Sequence, residues 1–316
     1  MSKDFKIVFF GTTDFAVETL SLLKDHFNIK AVVTSEDKPA GRGLKIRESA
    51  IKIYSKDNKL NTLQPSNLKS DSFINELELL NCDLFVVVAF RMLPKSVWSI
   101  PKFGTINLHA SLLPNYRGAA PINWAIINGE IITGVTTFFI NEDIDTGDII
   151  DQDTVEVGVE ENAGELHDKL KNTGANLVIK TVQKIISNDF SLKPQINLSK
   201  KINSATKLNK DNCKIDWAAD LYSIYNKIRG LSPYPGASCI LSNFNQDLKV
   251  IIYSSRTEIE KHDFDNGKII CEKKYIKIAT KKGFLIPLEL KIQGKKRMKI
   301  SDLINGFKFD VNSRFL

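Results

Sequence analysis

Five short apolar runs, at 6–10, 29–33, 84–89, 105–108 and 135–140, dominate the front of the chain. Each is continuous rather than alternating, and polar or helix-patterned segments separate them. A strand with one wet face alternates apolar and polar residues, whereas a strand covered on both faces has no reason to. The runs therefore predict an α/β domain whose mostly parallel, open, Rossmann-like sheet is covered by helices. In such sheets ligands are met at the carboxyl ends of the strands. The loops after 105–108 and 135–140 are the places to look for chemistry.

The texture changes further on. Residues 162–186 read as one long helix, with Leu166, Leu170, Leu177 and Ile179 among its apolar positions. A polar stretch with Pro194 and Lys200-Lys201 follows. A helix pattern at 217–228 is broken by Ser232-Pro233-Tyr234-Pro235-Gly236, and short strand patterns follow at 248–253, 267–271, 275–279 and 284–290. These suit a small OB-like β-barrel. The expected division is a catalytic domain at 1–189, a linker at 190–206 and a C-terminal domain at 207–316.

Charge divides along the same line. Residues 1–200 hold 22 Lys and Arg against 25 Asp and Glu, while residues 201–316 hold 22 against 12. A basic back half is either a handle for a polyanion or a lysine-rich solvated surface.

Several classes are excluded. The longest apolar run, 84–90, is seven residues long, against about 20 for a membrane helix. The charged start, with Lys3, Asp4 and Lys6, is no signal peptide. Cys82, Cys213, Cys239 and Cys271 form no Cys-x-x-Cys pair, and the four histidines have no ligand spacing. A cytoplasmic protein without a metal is expected. Gly11-Thr12-Thr13-Asp14 holds one glycine where a dinucleotide fingerprint needs three, and there is no phosphate-binding loop ending in Gly-Lys.

The densest polar segment is Asn107-Leu108-His109-Ala110-Ser111-Leu112-Leu113-Pro114-Asn115-Tyr116-Arg117-Gly118. Alternation puts Asn107 and His109 on one face of a strand end. A second cluster, from Asn141 through Asp143 and Asp145 to Asp148, closes the next strand. An Asn, a His and an Asp without a Cys or suitable Ser nucleophile fit oxyanion stabilisation and proton handling while an external nucleophile attacks a carbonyl. The same residues also fit a hydrogen-bonded core histidine and a turn-capping aspartate. Residues 37–47 carry Lys38, Arg42, Lys45 and Arg47 around two glycines. Such a loop either grips phosphates or is a mobile surface tip.

Taken together, these motifs resemble the 10-formyltetrahydrofolate formyltransferase family over nearly the whole chain. The resemblance rests on the segment 10–16, on Asn107 to Gly118 extended through Pro121, Trp124 and Gly129, and on Asp143-Ile144-Asp145-Thr146-Gly147-Asp148. It continues at 165–170 and Asp216-Trp217. Two back-domain motifs, 229–237 and 293–298, are similar to those of the members that act on methionyl-tRNA. The resemblance implies direct transfer of formyl from 10-formyltetrahydrofolate to the amine of initiator methionyl-tRNA by a monomer, without a metal. It implies that Asn107 and His109 hold the oxyanion. Asp145 would keep His109 oriented and protonated and help to remove the amine proton. Ser111, Leu112, Leu113 and Pro114, with Phe90, Arg91 and Leu93, would form the folate pocket. Arg42, Lys45 and Arg47, with Lys295, Lys296 and Arg297, would meet tRNA. Where the tRNA members usually read Ala-Tyr-Gly, this chain has Ala89-Phe90-Arg91, closer to the glycinamide ribonucleotide members. The family reads the pterin there mostly through backbone groups. Relatives that formylate a small amine, and a non-catalytic RNA-binding descendant, are the other readings. The basic C-terminal domain argues against the first, and the intact Asn107, His109 and Asp145 against the second.

Overall fold

The continuous apolar runs become the middle of a seven-stranded sheet. The computed structural model describes residues 2–40, 45–195 and 202–316. Strands β1 (Lys6–Gly11), β2 (Asn28–Val33), β3 (Thr62–Leu63), β4 (Leu84–Val88), β5 (Thr105–His109), β6 (Ile132–Phe139) and β7 (Ile149–Glu156) are ordered β7-β6-β5-β4-β1-β2-β3. The five from β5 to β3 are parallel, and β6 and β7 run antiparallel to their neighbours. Both faces of the central strands are closed: Ile7, Val8, Phe9 and Phe10 in β1 are fully buried, as are Leu84, Phe85 and Val86 in β4. That explains why these segments do not alternate.

Helices α1 (Phe15–His26), α2 (Ala50–Asp57) and α3 (Asp71–Leu79) connect the parallel strands. Helix α4 (Pro121–Ile127) follows β5, and α5 (Ala163–Ser187) is the long helix expected from its leucine spacing. Beyond α5, an isolated antiparallel bridge pairs Lys193 with Ile149, laying the outgoing chain along the start of β7.

The chain divides into two compact units. One comprises residues 1–118, 132–156 and 167–204, and the other 119–131, 157–166 and 205–316. The second unit contains α6 (Leu221–Gly230) and the strands β8 (Ala237–Asn243), β9 (Gln246–Glu258), β10 (Ile269–Cys271), β11 (Ile276–Thr280), β12 (Gly283–Ile292) and β13 (Arg314–Phe315). They are antiparallel in the order β10-β11-β12-β9-β8-β13. A bridge between Lys268 and Arg314 brings the two edges together, so the sheet curls into the expected barrel. Leu241, Val250, Ile252, Ile278, Leu285 and Leu290 fill it, joined by Leu221, Ile224 and Ile228 of α6.

The sequence patterns differ from the structure at identifiable points. Strands β3, β7, β8 and β13 are absent from the expected set; β7 carries the half-buried polar residues Asp151, Gln152 and Asp153 at the sheet edge. Helix α6 starts at Leu221 rather than 217, because the Asp220 side chain accepts from the backbone amides of Tyr222 and Ser223 and caps it there. Trp217 lies before the helix and stacks on Phe315 with ring centroids 5.3 Å apart.

Candidate active site

Strands β4 and β5 are in register, with Val88 opposite Leu108, so the segments that leave them start side by side at the carboxyl edge. Asn107 is half-buried on β5, and its side chain has no hydrogen-bond partner among the described residues. His109, two residues on, is 7% exposed. The chain after β5 folds back so that the Tyr116 carbonyl accepts from His109 Nε2 at 2.8 Å. A carbonyl has no proton to give, so Nε2 carries the hydrogen. That leaves Nδ1 as the ring edge not committed to a backbone group. It faces Asp145 Oδ2 at 3.7 Å, beyond hydrogen-bond length.

Asp145 comes from the loop after β6. Its carboxylate accepts from the Gly118 amide at 3.0 Å, and its own backbone is left-handed, with φ 55°. Few residues other than glycine rest there without cost, so the loop must be held from outside. Part of that hold is close packing: a Cβ added to Gly147 would lie 1.7 Å from the Phe139 carbonyl oxygen. Asn141 adds an Asx-type turn, accepting from the Asp143 amide at 3.1 Å and from Thr146 Oγ1 at 2.9 Å.

The turn after His109 is anchored by Thr136, which sits opposite His109 in the β5–β6 register. Its hydroxyl donates to the Ser111 carbonyl at 2.6 Å and accepts from the Leu113 amide at 3.1 Å and from Gln152 Nε2 at 2.9 Å. Gln152 also donates to the Leu113 carbonyl at 3.0 Å. This network, buried at Thr136 and half-buried at Gln152, fixes the path of residues 109–114 to the sheet. An Asn amide without a partner among the described residues, an imidazole with one edge not committed to the backbone and a carboxylate beside it make a site for polarising a carbonyl and moving a proton.

The match to known proteins covers both units. Residues 5–182 match the formyl transferase family, and residues 207–308 match the formyl transferase C-terminal domain. The chain belongs to the formyl transferase family. Relatives named methionyl-tRNA formyltransferase include one from Flavobacterium johnsoniae, 52% identical, with 96% of each chain covered. Another, from Bacteroides thetaiotaomicron, is 44% identical with 97% of each covered. Among solved structures, a sugar 3N-formyltransferase determined in the presence of dTDP and 5-N-formyl-tetrahydrofolate has the same fold. It aligns with TM-score 0.66 at 23% identity, covering 92% of this chain and 99% of that one. HypX from Aquifex aeolicus in complex with tetrahydrofolic acid aligns with TM-score 0.64 at 18% identity, covering 96% of this chain and 48% of that one.

Folate ligands are named for both of these solved structures, 5-N-formyl-tetrahydrofolate for one and tetrahydrofolic acid for the other. The residues at the strand ends fit such a ligand. Leu112 and Pro114 are half-exposed beside the His109 turn, and Phe90 is half-exposed at the end of β4. Ala89 has φ 49°, which turns the backbone out of the strand. Other expected pocket residues are occupied within the protein. Ser111 is fully buried and donates to the Asn115 carbonyl at 2.7 Å. Leu113 packs on Phe138 and Ile149, and Leu93 is in the core with Phe85 and Val97. The side chains of these three are turned into the protein. Arg91 donates to the Pro65 carbonyl at 2.5 Å and to the Ser66 carbonyl at 3.4 Å, with its guanidinium over the Phe90 ring.

Of the expected tRNA residues, Arg42 lies outside the described residues. Lys45 and Arg47 are on the returning strand of a small hairpin, paired with Lys38–Ala40. The base of that hairpin is fixed: Lys52 bonds Asp37 at 2.5 Å and holds its carboxyl below the usual range, and Gln64 donates to Asp37 at 2.8 Å. Lys295 and Lys296 are exposed on the turn after β12. Arg297 next to them is paired, donating to Glu289 at 2.5 Å and lying 4.0 Å from the Tyr253 ring centroid.

Sequence reasoning gave no role to Thr136, Gln152, Arg117 or Gln195. Arg117 was visible only as part of a motif. The other three bind across long sequence separations and follow no periodic pattern.

Proposed function

We propose that this enzyme transfers the formyl group of 10-formyltetrahydrofolate to the amine of methionine on initiator tRNA by direct attack, with Asn107, His109 and Asp145 as the catalytic groups. The observation that carries this reading is the arrangement of His109, with Nε2 committed to the Tyr116 carbonyl and Nδ1 turned toward Asp145. The amine nitrogen attacks the formyl carbon and the carbonyl electrons move onto oxygen. The Asn107 amide and the Nδ1–H of doubly protonated His109 donate to that oxyanion. Asp145 balances the imidazolium and takes the proton lost by the amine. The tetrahedral centre then collapses, the bond from carbon to folate N10 breaks, and N10 leaves with the proton that Asp145 took from the amine. Water must be kept from the formyl carbon, and the apolar side chains of Leu112, Pro114 and Phe90 are suited to line that space.

The high identity to relatives named for methionyl-tRNA supports the acceptor, and the basic back half supports a polyanionic one. Lys295 and Lys296, with Arg42 and the hairpin cations Lys45 and Arg47, are the proposed phosphate contacts. In this reading the enzyme acts as a monomer. Its place is the cytoplasm, where charged tRNA is made.

Direct attack requires that the formyl group never reside on the protein. When the enzyme is mixed with a formyl donor labelled on the formyl carbon, without acceptor, acid-quenched protein should carry no label. A stoichiometric labelled enzyme would replace direct attack by a two-step route.

A further inference from the structure

Gln195 lies two residues beyond the bridge that lays the outgoing chain along β7. Its side chain makes four hydrogen bonds. Nε2 donates to the carbonyl of Asp145 at 3.1 Å and to that of Gly147 at 2.8 Å. Oε1 accepts from Arg117 Nε at 3.0 Å and from the terminal nitrogen NH2 of the same guanidinium at 2.7 Å. A primary amide has two donor hydrogens and two acceptor lone pairs, so its capacity is filled. The orientation is also determined, because backbone carbonyls only accept and a guanidinium only donates.

The two carbonyls belong to the loop that carries Asp145, and Arg117 precedes Gly118, whose amide holds the Asp145 carboxylate. One side chain therefore ties together both segments that fix the carboxylate, and it does so where Asp145 stands in a left-handed backbone conformation. We propose that Gln195 is a positioning residue for formyl transfer, a latch that keeps Asp145 aimed at His109 Nδ1. The inference rests on the catalytic role given to Asp145 above. Gln195 touches no reacting atom; it acts through the loop.

The variant Gln195→Met keeps the length of the side chain and removes all four bonds. Gln195→Glu keeps the acceptor for Arg117 but sets a carboxylate oxygen against two carbonyls. With the full-length enzyme, both should lower kcat by about 10- to 100-fold, the scale of a misplaced catalytic group. The KM for the formyl donor should stay within about threefold, because ground-state binding is not what the latch supplies. Thermal midpoints should remain near that of the parent, and hydrogen exchange at the amides of 143–147 should accelerate. A kcat within about twofold of the parent for either folded variant overturns the latch. So does a loss of kcat that only follows the unfolded fraction and is recovered on cooling. Asp145→Asn is measured alongside. If it is inactive while Gln195→Met is fully active, the latch fails and the site stands; if Asp145→Asn keeps full activity, the catalytic reading itself fails.

Discussion

Replacing Asn107 by Ala is expected to lower kcat by about 10²- to 10³-fold with little change in folate affinity, the effect of deleting one oxyanion donor. Asn107 is the cleaner probe of the pair, because its amide has no partner among the described residues and its removal strands nothing. His109→Ala should lose as much, but it also leaves the Tyr116 carbonyl without its donor in a buried place. Its folding must therefore be checked by thermal unfolding and by folate binding. The two effects should not add: once one donor is gone the oxyanion is poorly held, and removing the second costs less than it did alone. Near-parental turnover for folded Asn107→Ala, measured as formylated product per enzyme per second, would remove it from the mechanism.

The second large effect concerns the back half. Lys295 and Lys296 are exposed and have no ion pair among the described residues, whereas the neighbouring Arg297 is engaged with Glu289 and Tyr253. A lysine that meets a phosphate releases condensed counterions, and the loss of each contact flattens the log–log salt dependence by about 0.7 to 0.9. The double variant Lys295→Gln with Lys296→Gln should bind tRNA about 10- to 100-fold more weakly near physiological salt and lower the slope by about 1.4 to 1.8. Its folate affinity should be unchanged. Arg297→Gln should change the slope less than either lysine does. Unchanged slopes in the double variant would mean that these lysines are solvated charges rather than tRNA contacts.

How much of this could be read from the chain depends on what each feature leaves in the sequence. The central strands were legible because burial on two faces leaves continuous apolar runs, as at Val8 to Phe10 and at 84–88. Edge strand β7 was not, because the consecutive polar residues Asp151, Gln152 and Asp153 read as loop. The pairing of Asn107 with His109 followed from alternation along one strand. The approach of Asp145 followed only from the expectation that neighbouring strand ends converge, and its left-handed backbone had no signal beyond the nearby Gly147. The supports were illegible for a physical reason. Thr136 meets residues 111 and 113, and Gln195 meets residues 117, 145 and 147, so each contact is a product of the folded sheet rather than of any local period. The expected folate run was half legible: Ser111 to Pro114 stood out as a motif, but which of them face outward depended on packing against Phe138, Ile149 and Thr136.

The most direct test of the whole account is acceptor choice. Purified enzyme is given 10-formyltetrahydrofolate with charged initiator tRNA, free methionine, an amino sugar nucleotide or a ribonucleotide glycinamide, and the formylated product is identified in each case. The account predicts rapid formation of formyl-methionyl-tRNA and no product from the three small amines. Formylation of a small amine with charged tRNA left untouched, or no transfer to any acceptor by folded, folate-binding protein, would contradict it.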